Sequence, residues 1–346
     1  MQNDTDTGVI APPAGVTPNL DDPTRHLLTA NRLVVIVGVT ISAFSLLVRT
    51  YTRLVIIRQW MLDDLVILAS WIFAVITQSL LLYGYTDAGL GIHEWNLTTE
   101  EYNKSLRILL AGAVMYIPAL GLSKIALIAL YYRLSDMQRR WKITLWSVTI
   151  FVVVYMTLLE CLLIFGCNPI SKAWDTTVDG QCINRAGIFM AGASASMFTD
   201  IVLLIMPLPI VARLKMASRK RLGLAFMFGL GGLSLVTSIM RVIAIVPMLS
   251  SDDQSYLLGE MCLWINVESN LVIVTACVPS FRQVFRFHTA GSWNDSGRRD
   301  RASSRSNLRS AQRRHQGFTN LSVDVEMDGR ESSGHEVETH PPRAVS

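Results

Sequence analysis

Charged side chains are scarce in this sequence. Asp, Glu, Lys and Arg make up 17% of its 346 residues, whereas an average soluble domain contains about 25%. Hydrophobic residues make up 51%, and the charges are concentrated in short segments and near the C-terminus. The shortage of charge argues against a soluble globular protein and predicts a protein embedded in a membrane.

The N-terminal region lacks the features of a cleavable signal peptide. Residues 1–26 contain acidic residues, prolines and glycines, and no basic stretch that is followed by an apolar one. We therefore expect the first membrane-spanning helix to act as the targeting signal.

Seven long apolar segments contain most of the hydrophobic residues. A bilayer core requires about 20 mostly apolar residues per helix, and each segment is too long for a buried strand. A soluble protein with a single buried core does not need seven such segments separated by short polar loops. The predicted fold class is therefore all-α, a polytopic membrane protein with a seven-transmembrane-helix bundle. The predicted spans are 32–49, 61–84, 107–132, 143–166, 187–211, 222–249 and 257–279.

Basic residues in the connecting loops indicate the orientation of the chain. The loops after spans one, three and five carry twelve Lys or Arg residues, and the loops after spans two, four and six carry four. By the positive-inside rule, the first set of loops is cytosolic. The sequence thus predicts an extracellular N-terminal tail (1–31), a seven-helix domain (32–279) and a cytosolic C-terminal tail (280–346) that is rich in Arg and Ser and disordered.

Two of the five cysteines bracket the second predicted outside loop. Cys167 and Cys182 begin and end the segment CNPISKAWDTTVDGQC. Because this loop is expected to face an oxidising compartment, we favour a disulfide over two free thiols. Cys161, Cys262 and Cys277 fall within predicted spans and are expected to be packed, reduced thiols.

Three glycosylation sequons lie on the predicted outside face, and the one at Asn103 is set aside because it lies too near span three for a transferase to reach. The motif N-L-T starts at Asn96 in the first outside loop, and the motif N-D-T starts at Asn3 in the N-terminal tail. Asn-X-Ser/Thr is the acceptor sequence for N-linked glycans. Asn96 and Asn3 are therefore the predicted glycosylation sites.

Five ionisable residues lie within the predicted spans, away from the span ends. At 1.5 Å per residue, three of them lie about 14–16 Å from the cytosolic edge, and two lie about 25–28 Å from it. An isolated charge at such a depth costs about 3 kcal/mol, so opposite charges at one depth are expected to pair or to share a hydrated cavity. The first group is Lys124, Asp200 and Glu268, and the second group is Arg241 and Glu160.

These two charge layers have two interpretations. In the first, the ion pairs rearrange and form part of a switch or a ligand pocket, because ionisable residues within membranes are often functional. In the second, the pairs are static and only fix the rotation of the helices. Asp63 and Asp64 open span two; they suit the positive end of the helix dipole, and a reach toward Lys124 is the alternative.

The predicted cytosolic tail combines a basic, serine-rich block with an acidic end. Phosphorylation of serines beside arginines would weaken the attraction of this block for anionic lipid, and a solvated tail without regulation is the alternative. Nucleic acid is not an expected partner, because the basic block is short and tethered to the membrane.

A set of residues in a fixed order extends from span two to the end of span seven: Asp63, Asp64, Gly89, Gly91, His93, Lys124, Tyr132, Arg133, Cys167, Pro169, Trp174, Cys182, Asp200, Pro207, Pro209, Arg241, Glu268 and Pro279. This set resembles the fungal rhodopsin-like seven-helix membrane proteins, over roughly residues 30–288. That family includes receptor-like proteins of plant-pathogenic fungi and membrane proteins of toxin gene clusters.

The resemblance implies a layout similar to that of G-protein-coupled receptors, but it does not imply a bound retinal. Opsins attach retinal to a lysine in the seventh span, and residues 257–279 contain no lysine. Lys124 lies in the third span, so we predict no cofactor and interpret Lys124 as an ion-pair partner. Some relatives carry an extracellular eight-cysteine domain, whereas this N-terminal tail contains no cysteine.

The sequence and the resemblance together predict a receptor-like protein of the plasma membrane. An unknown small molecule or peptide would bind from outside, and a heterotrimeric G protein or another cytosolic partner would contact the inner loops. The alternative is a transporter or an accessory membrane protein of a fungal secondary-metabolite pathway. An enzyme is not predicted, because none of the six histidines lies in a predicted span, where a zinc site would need ligands.

Overall fold

The computed structural model describes residues 8–20, 23–25, 27–134, 139–206, 218–251, 253–281, 283, 284 and 287. Within these residues, seven helices are long and apolar enough to cross a membrane, as the sequence predicts. The chain is therefore a multi-pass membrane protein with an all-α, seven-helix fold. Asn3 and nearly all of the predicted C-terminal tail lie outside the described residues.

The seven helices run back and forth, so alternate helix ends meet at each end of the bundle. We call the end that contains Leu28 and Asp87 the N-face, and the end that contains Tyr51 and Phe281 the C-face. The helices are α1 (Leu28–Tyr51), α2 (Leu62–Asp87), α3 (Thr99–Leu134), α4 (Arg139–Phe165), α5 (Arg185–Ile205), α6 (Ser218–Ile245) and α7 (Gln254–Phe281).

Burial separates central helices from peripheral ones. The most apolar window of α7 is 72% buried and that of α3 is 56% buried, whereas that of α4 is only 22% buried. α1 and α4 instead expose large apolar side chains such as Leu33, Phe44, Trp146 and Val154. A bilayer would cover these side chains, whereas most of the surface of α3 and α7 lies inside the bundle.

α3 begins at Thr99, well before the predicted start of span three at residue 107. A capping box explains the extra turns. Thr98 Oγ1 accepts a hydrogen bond from the backbone N–H of Glu101 (3.3 Å), and the Glu101 carboxylate accepts one from the backbone N–H of Thr98 (3.1 Å). Counting apolar residues missed these turns because they are polar.

Three ordered connections cover the N-face. The α2–α3 connection buries Leu90, Ile92 and Leu97, and its Gly89 and Gly91 have positive φ angles of 78° and 81°. A side chain at either glycine would strain the backbone. The other secondary-structure elements at this face are the 3₁₀ turns Glu94–Asn96, Ile170–Ala173 and Val246–Leu249, and the antiparallel strands β1 (Cys167–Asn168) and β2 (Gln181–Cys182).

Candidate functional site

Helical spacing brings eight polar residues from four helices together in the middle of the bundle. Residues three, four or about eight positions apart lie on one face of a helix, and the polar residues of α3, α5 and α6 follow these separations. All eight are buried. We call them the buried polar network: Tyr116 and Lys124 on α3, Ser196, Thr199 and Asp200 on α5, Ser238 and Arg241 on α6, and Glu268 on α7.

Lys124 is fully buried, and its ammonium group is surrounded by acceptors from α5. Nζ lies 2.8 Å from Asp200 Oδ1. It also donates to Thr199 Oγ1 (2.7 Å), Ser196 Oγ (2.9 Å) and the Ser196 carbonyl oxygen (3.0 Å). An ammonium has three protons to donate, so these acceptors use its whole hydrogen-bonding capacity.

Glu268 pairs with the second cation, Arg241, as Asp200 pairs with Lys124. Arg241 Nε lies 3.2 Å from Glu268 Oε2. The Tyr116 hydroxyl donates to Glu268 Oε2 (3.1 Å) and accepts a hydrogen bond from Arg241 Nη1. Glu268 is 0% exposed and Arg241 is 4% exposed, so this pair is as dry as the first.

Two serines join the two ion pairs into one network. Ser196 Oγ accepts from Lys124 and lies 3.1 Å from Glu268 Oε1. Ser238 Oγ contacts Asp200 Oδ2 and lies 3.1 Å from Glu268 Oε1. Each serine hydroxyl therefore contacts both ion pairs, and because a hydroxyl group can rotate, it can respond to a change in either pair.

The arrangement differs from the two depth-matched layers that the sequence predicts. Lys124 lies against Asp200, but Glu268 pairs with Arg241 and not with Lys124. Arg241 and Glu160, which the sequence groups by depth, are not paired among the described residues: Arg241 binds Glu268 and Tyr116, and Glu160 Oε2 has no hydrogen-bond partner. Depth did not identify the partners, because long side chains reach along the helix axis and depth carries no information on which helices are neighbours.

The network is electrically neutral, with two cations and two carboxylates. Breaking a buried pair by removing one partner typically costs about 3–5 kcal/mol, because the other charge remains buried and unpaired. Each of the four charges therefore depends on a partner within the network.

An apolar cavity of about 70 Å³ lies on the N-face side of the network. Tyr116 and Arg241 form part of its wall, together with Tyr155 of α4. The other lining residues are mostly apolar, among them Leu109, Ile117, Leu159, Phe189 and Met261. Ligand pockets usually measure about 300–1,000 Å³, so a ligand of ordinary size would have to move the surrounding helices apart.

Glu94 fastens the α2–α3 connection to the start of α7. Its Oε1 accepts hydrogen bonds from the backbone N–H groups of Ser255 (2.9 Å) and Gln254 (3.0 Å). These N–H groups are free at a helix N-terminus, where a carboxylate is also favoured by the helix dipole. Burial raises the pKa of Glu94, and the two backbone hydrogen bonds oppose this shift.

His93 adds an aromatic contact to the same junction. Its ring is stacked between Trp95 and Tyr256, with centroid distances of 4.2 and 4.1 Å. Its Nδ1 contacts the Asp253 carboxylate. The sequence interpretation used His93 only as part of a motif, because the stacking partner and the acid lie about 160 residues further along the chain.

The predicted disulfide is present at the N-face. Cys167 and Cys182 are bonded and lie opposite each other in the β1–β2 pair. This bond joins the end of α4 to the start of α5. Asn96, the predicted glycosylation site, is in the 3₁₀ turn of the α2–α3 connection, and its Oδ1 accepts a hydrogen bond from the backbone N–H of Asn19 (3.0 Å).

A second buried charge cluster, at the C-face, was missed. Arg49 is 2% exposed and donates to Asp64 Oδ1 (2.9 Å), Asp63 Oδ2 (2.8 Å) and the Ala276 carbonyl oxygen (2.7 Å). Arg53 binds the same two carboxylates. These pairings replace the suggested reach of Asp63 and Asp64 toward Lys124, and they connect α1, α2 and α7.

A chain of four buried amides between α1, α2 and α7 was also missed. Asn266 Nδ2 donates to Asn31 Oδ1 (2.7 Å), and Asn270 Nδ2 donates to Gln78 Oε1 (2.9 Å) and to the Asn266 carbonyl oxygen (2.8 Å). Pairing from the sequence relies on opposite charge at equal depth, and uncharged polar residues cannot be paired in this way. Their only signal is the spacing of Asn266 and Asn270, which places both on one face of α7.

Comparison with known proteins places this site in a family context. The family model of the fungal rhodopsin domain matches residues 48–287. The chain is 25% identical to Fugralins biosynthesis cluster protein 2 of Gibberella zeae, over 82% of this chain and 72% of that protein. It is 29% identical to Polyenoic acids biosynthesis gene cluster protein Ba17b of Metarhizium anisopliae, over 73% of each chain. It is 27% identical to Receptor GIN3 of Arthrobotrys oligospora, over 54% of this chain and 46% of that protein.

The matched region contains the whole buried polar network, the disulfide and the charge cluster at the C-face. It begins near the end of α1 and includes the other six helices. The resemblance inferred from the ordered residues is confirmed. The chain belongs to the fungal rhodopsin domain family of seven-helix membrane proteins.

Proposed function

We propose that this protein is a ligand-sensing receptor in which occupation of the apolar cavity changes the ion pairs of the buried polar network. The observation that carries the proposal is that Tyr116 and Arg241 belong to both the cavity wall and the network. A ligand that touches either residue competes with contacts to Glu268. The side chains that would contact the ligand are therefore also members of the network that would change.

The network supports transmission because it joins α3, α5, α6 and α7. A ligand shifts a conformational equilibrium by the difference between its affinities for the two states. Expansion of the small cavity would move Arg241 away from Tyr116. Glu268 could then interact more strongly with Lys124, through the hydroxyl group of Ser196. The C-face ends of α5 and α6 would carry this change to a partner.

The proposed orientation has the N-face outside the cell, in accord with the distribution of basic residues. The disulfide at the N-face suits an oxidising compartment. The cytosolic partner would be a heterotrimeric G protein or another signalling protein at the C-face, and the proposed location is the plasma membrane. A relative is named a receptor, Receptor GIN3. The proposed ligand is a small molecule or a peptide and not a covalently attached retinal, because α7 contains no lysine.

A second candidate function is that of a transporter or an accessory membrane protein in a secondary-metabolite pathway. The names of two relatives, both cluster proteins of biosynthetic pathways, favour it. A proton-coupled transporter requires its buried carboxylates to reach water at some stage of the cycle. Asp200 and Glu268 are 7% and 0% exposed, so a transport cycle would require a second conformation in which they reach water.

Substitution of two intramembrane glutamates tests the proposal. Glu268→Gln keeps the shape of the side chain but removes the charge that pairs with Arg241, whereas Glu160→Gln removes a carboxylate outside the network. In a fungal host that expresses each variant at equal surface level, Glu268→Gln is expected to change the basal cyclic-nucleotide level, and Glu160→Gln is not. Altered metabolite efflux without any change in second messenger would contradict the receptor and support the transporter.

A further inference from the structure

We propose that the groove between α2, α3 and α4 at the C-face binds one anionic phospholipid, with an acyl chain along the apolar wall and the phosphate at Lys142. The groove has a volume of about 770 Å³ and opens to the side of the bundle. That volume lies within the usual range of about 300–1,000 Å³ for ligand sites. It is separate from the cavity beside the buried polar network, because the two share no lining residue.

The wall of the groove is apolar and aromatic. Leu62, Ile125 and Leu145 line it, with Trp60, Tyr132 and Trp146. Trp60, Tyr132 and Trp146 remain substantially exposed, at 49%, 45% and 61%. Aromatic side chains of this kind favour the boundary between acyl chains and headgroups, so the groove has the composition of a lipid contact along its length.

The rim of the groove is cationic. Lys142 Nζ lies 5.8 Å from the centre of the Tyr132 ring, which lines the groove. Arg139 lies one turn before Lys142 on α4 and is exposed. Arg58 is exposed two residues before Trp60. Basic residues at a membrane surface attract anionic lipids by about 1 kcal/mol each.

One carboxylate lines the groove but does not repel an anion. Asp63 is in the lining, and its Oδ2 is paired with Arg49 at 2.8 Å and Arg53 at 3.1 Å. The charge of this carboxylate is therefore neutralised within the protein. Among the described residues, the charged groups that remain at the groove are the basic side chains of the rim, so the groove favours an anionic headgroup over a zwitterionic one or a sterol hydroxyl.

Lipid retention by the purified full-length protein tests this site. The protein in detergent is titrated with phosphatidylserine, phosphatidylcholine or ergosterol, and bound lipid is counted by native mass spectrometry. We expect one retained phosphatidylserine, held about fivefold more tightly than phosphatidylcholine, which corresponds to about 1 kcal/mol for one lysine. Lys142→Gln should remove this preference, and Lys142→Arg should keep it.

Lys104 provides a matched control, because its Nζ also lies over a tyrosine ring, 5.3 Å from the centre of Tyr83, but at the N-face. Lys104→Gln should leave phosphatidylserine retention unchanged. Trp146→Ala should weaken the retention of both phospholipids by removing part of the wall. Equal retention of the two phospholipids by the native protein, equal losses in the two lysine variants, or displacement of phosphatidylserine by an equal concentration of ergosterol would each overturn the proposal.

Discussion

Lys124 Nζ lies 2.8 Å from Asp200 Oδ1, and the two side chains expose 0% and 7% of their surfaces. This contact explains how a lysine is tolerated in the middle of α3. A buried charge is costly unless it is paired and hydrogen-bonded, and α5 supplies both the carboxylate and the hydroxyl groups. In the second ion pair, Arg241 of α6 is likewise paired with a buried carboxylate, that of Glu268 on α7.

Gly38 on α1 packs against α7 where a side chain has no room. A Cβ at this position would meet the Asn270 amide, which is held by Gln78 and by the Asn266 carbonyl oxygen. Gly38→Ala is therefore expected to lower the free energy of unfolding by about 1–3 kcal/mol through overpacking. Chemical denaturation in detergent measures this change.

Gly229 on α6 is the matched control for Gly38, because a Cβ at Gly229 would meet no atom of the described residues within 4 Å. Gly229→Ala should raise stability by about 0.5–1 kcal/mol, since alanine favours a helix more than glycine does. A loss of stability in Gly229→Ala, or none in Gly38→Ala, would contradict the packing described for these helices.

The Cys167–Cys182 disulfide closes a short loop, with a sequence separation of 15. Loop-closure entropy predicts that replacement of both cysteines by alanine destabilises the protein by about 3 kcal/mol. Thermal unfolding with and without reductant measures this effect: the native protein should fall to the level of the variant when reduced. The variant itself should not respond to reductant, and Cys161→Ala, which removes an exposed free thiol, should behave as the native protein.

Glu94 makes stability depend on pH. Because burial raises its pKa in the folded protein, the folded state holds a proton that the unfolded chain releases from about pH 4.3 upward. The stabilising contribution of this proton is complete below that pH and is lost as the pH rises through the raised folded value. The free energy of unfolding, relative to that of Glu94→Gln, should therefore fall over this range. Glu100 is exposed, and Glu100→Gln is the control. If the difference in free energy of unfolding between the native protein and Glu94→Gln rose with pH, this result would contradict the burial of Glu94.

The fold could be predicted from the sequence because the membrane imposes a simple rule. Any helix that spans lipid needs a long apolar segment, and all seven segments were found. The start of α3 could not be predicted from hydropathy, since the capping box of Thr98 and Glu101 is polar. The burial of Arg49, which is 2% exposed, could not be predicted either, because its carboxylate partners lie on another helix.

The candidate site was only partly predictable. The charged members Lys124, Asp200, Arg241 and Glu268 could be found, because ionisable residues stand out in an apolar span. Their partners depend on helix neighbours and rotation, which hydropathy does not report. The hydroxyl groups of Ser196 and Ser238, which join the two ion pairs, are too common in membrane helices to be singled out from sequence.

The central claim is that buried ion pairs hold α3, α5, α6 and α7 together as one network. A double-mutant cycle of Lys124→Met and Asp200→Asn, measured as free energies of unfolding in detergent, tests it most directly. Lys124→Met should cost about 3–5 kcal/mol because Asp200 stays buried without its cation. The double variant should lose less than the two single losses combined, by about 0.5–3 kcal/mol. Losses that add within about 0.5 kcal/mol would contradict the pairing.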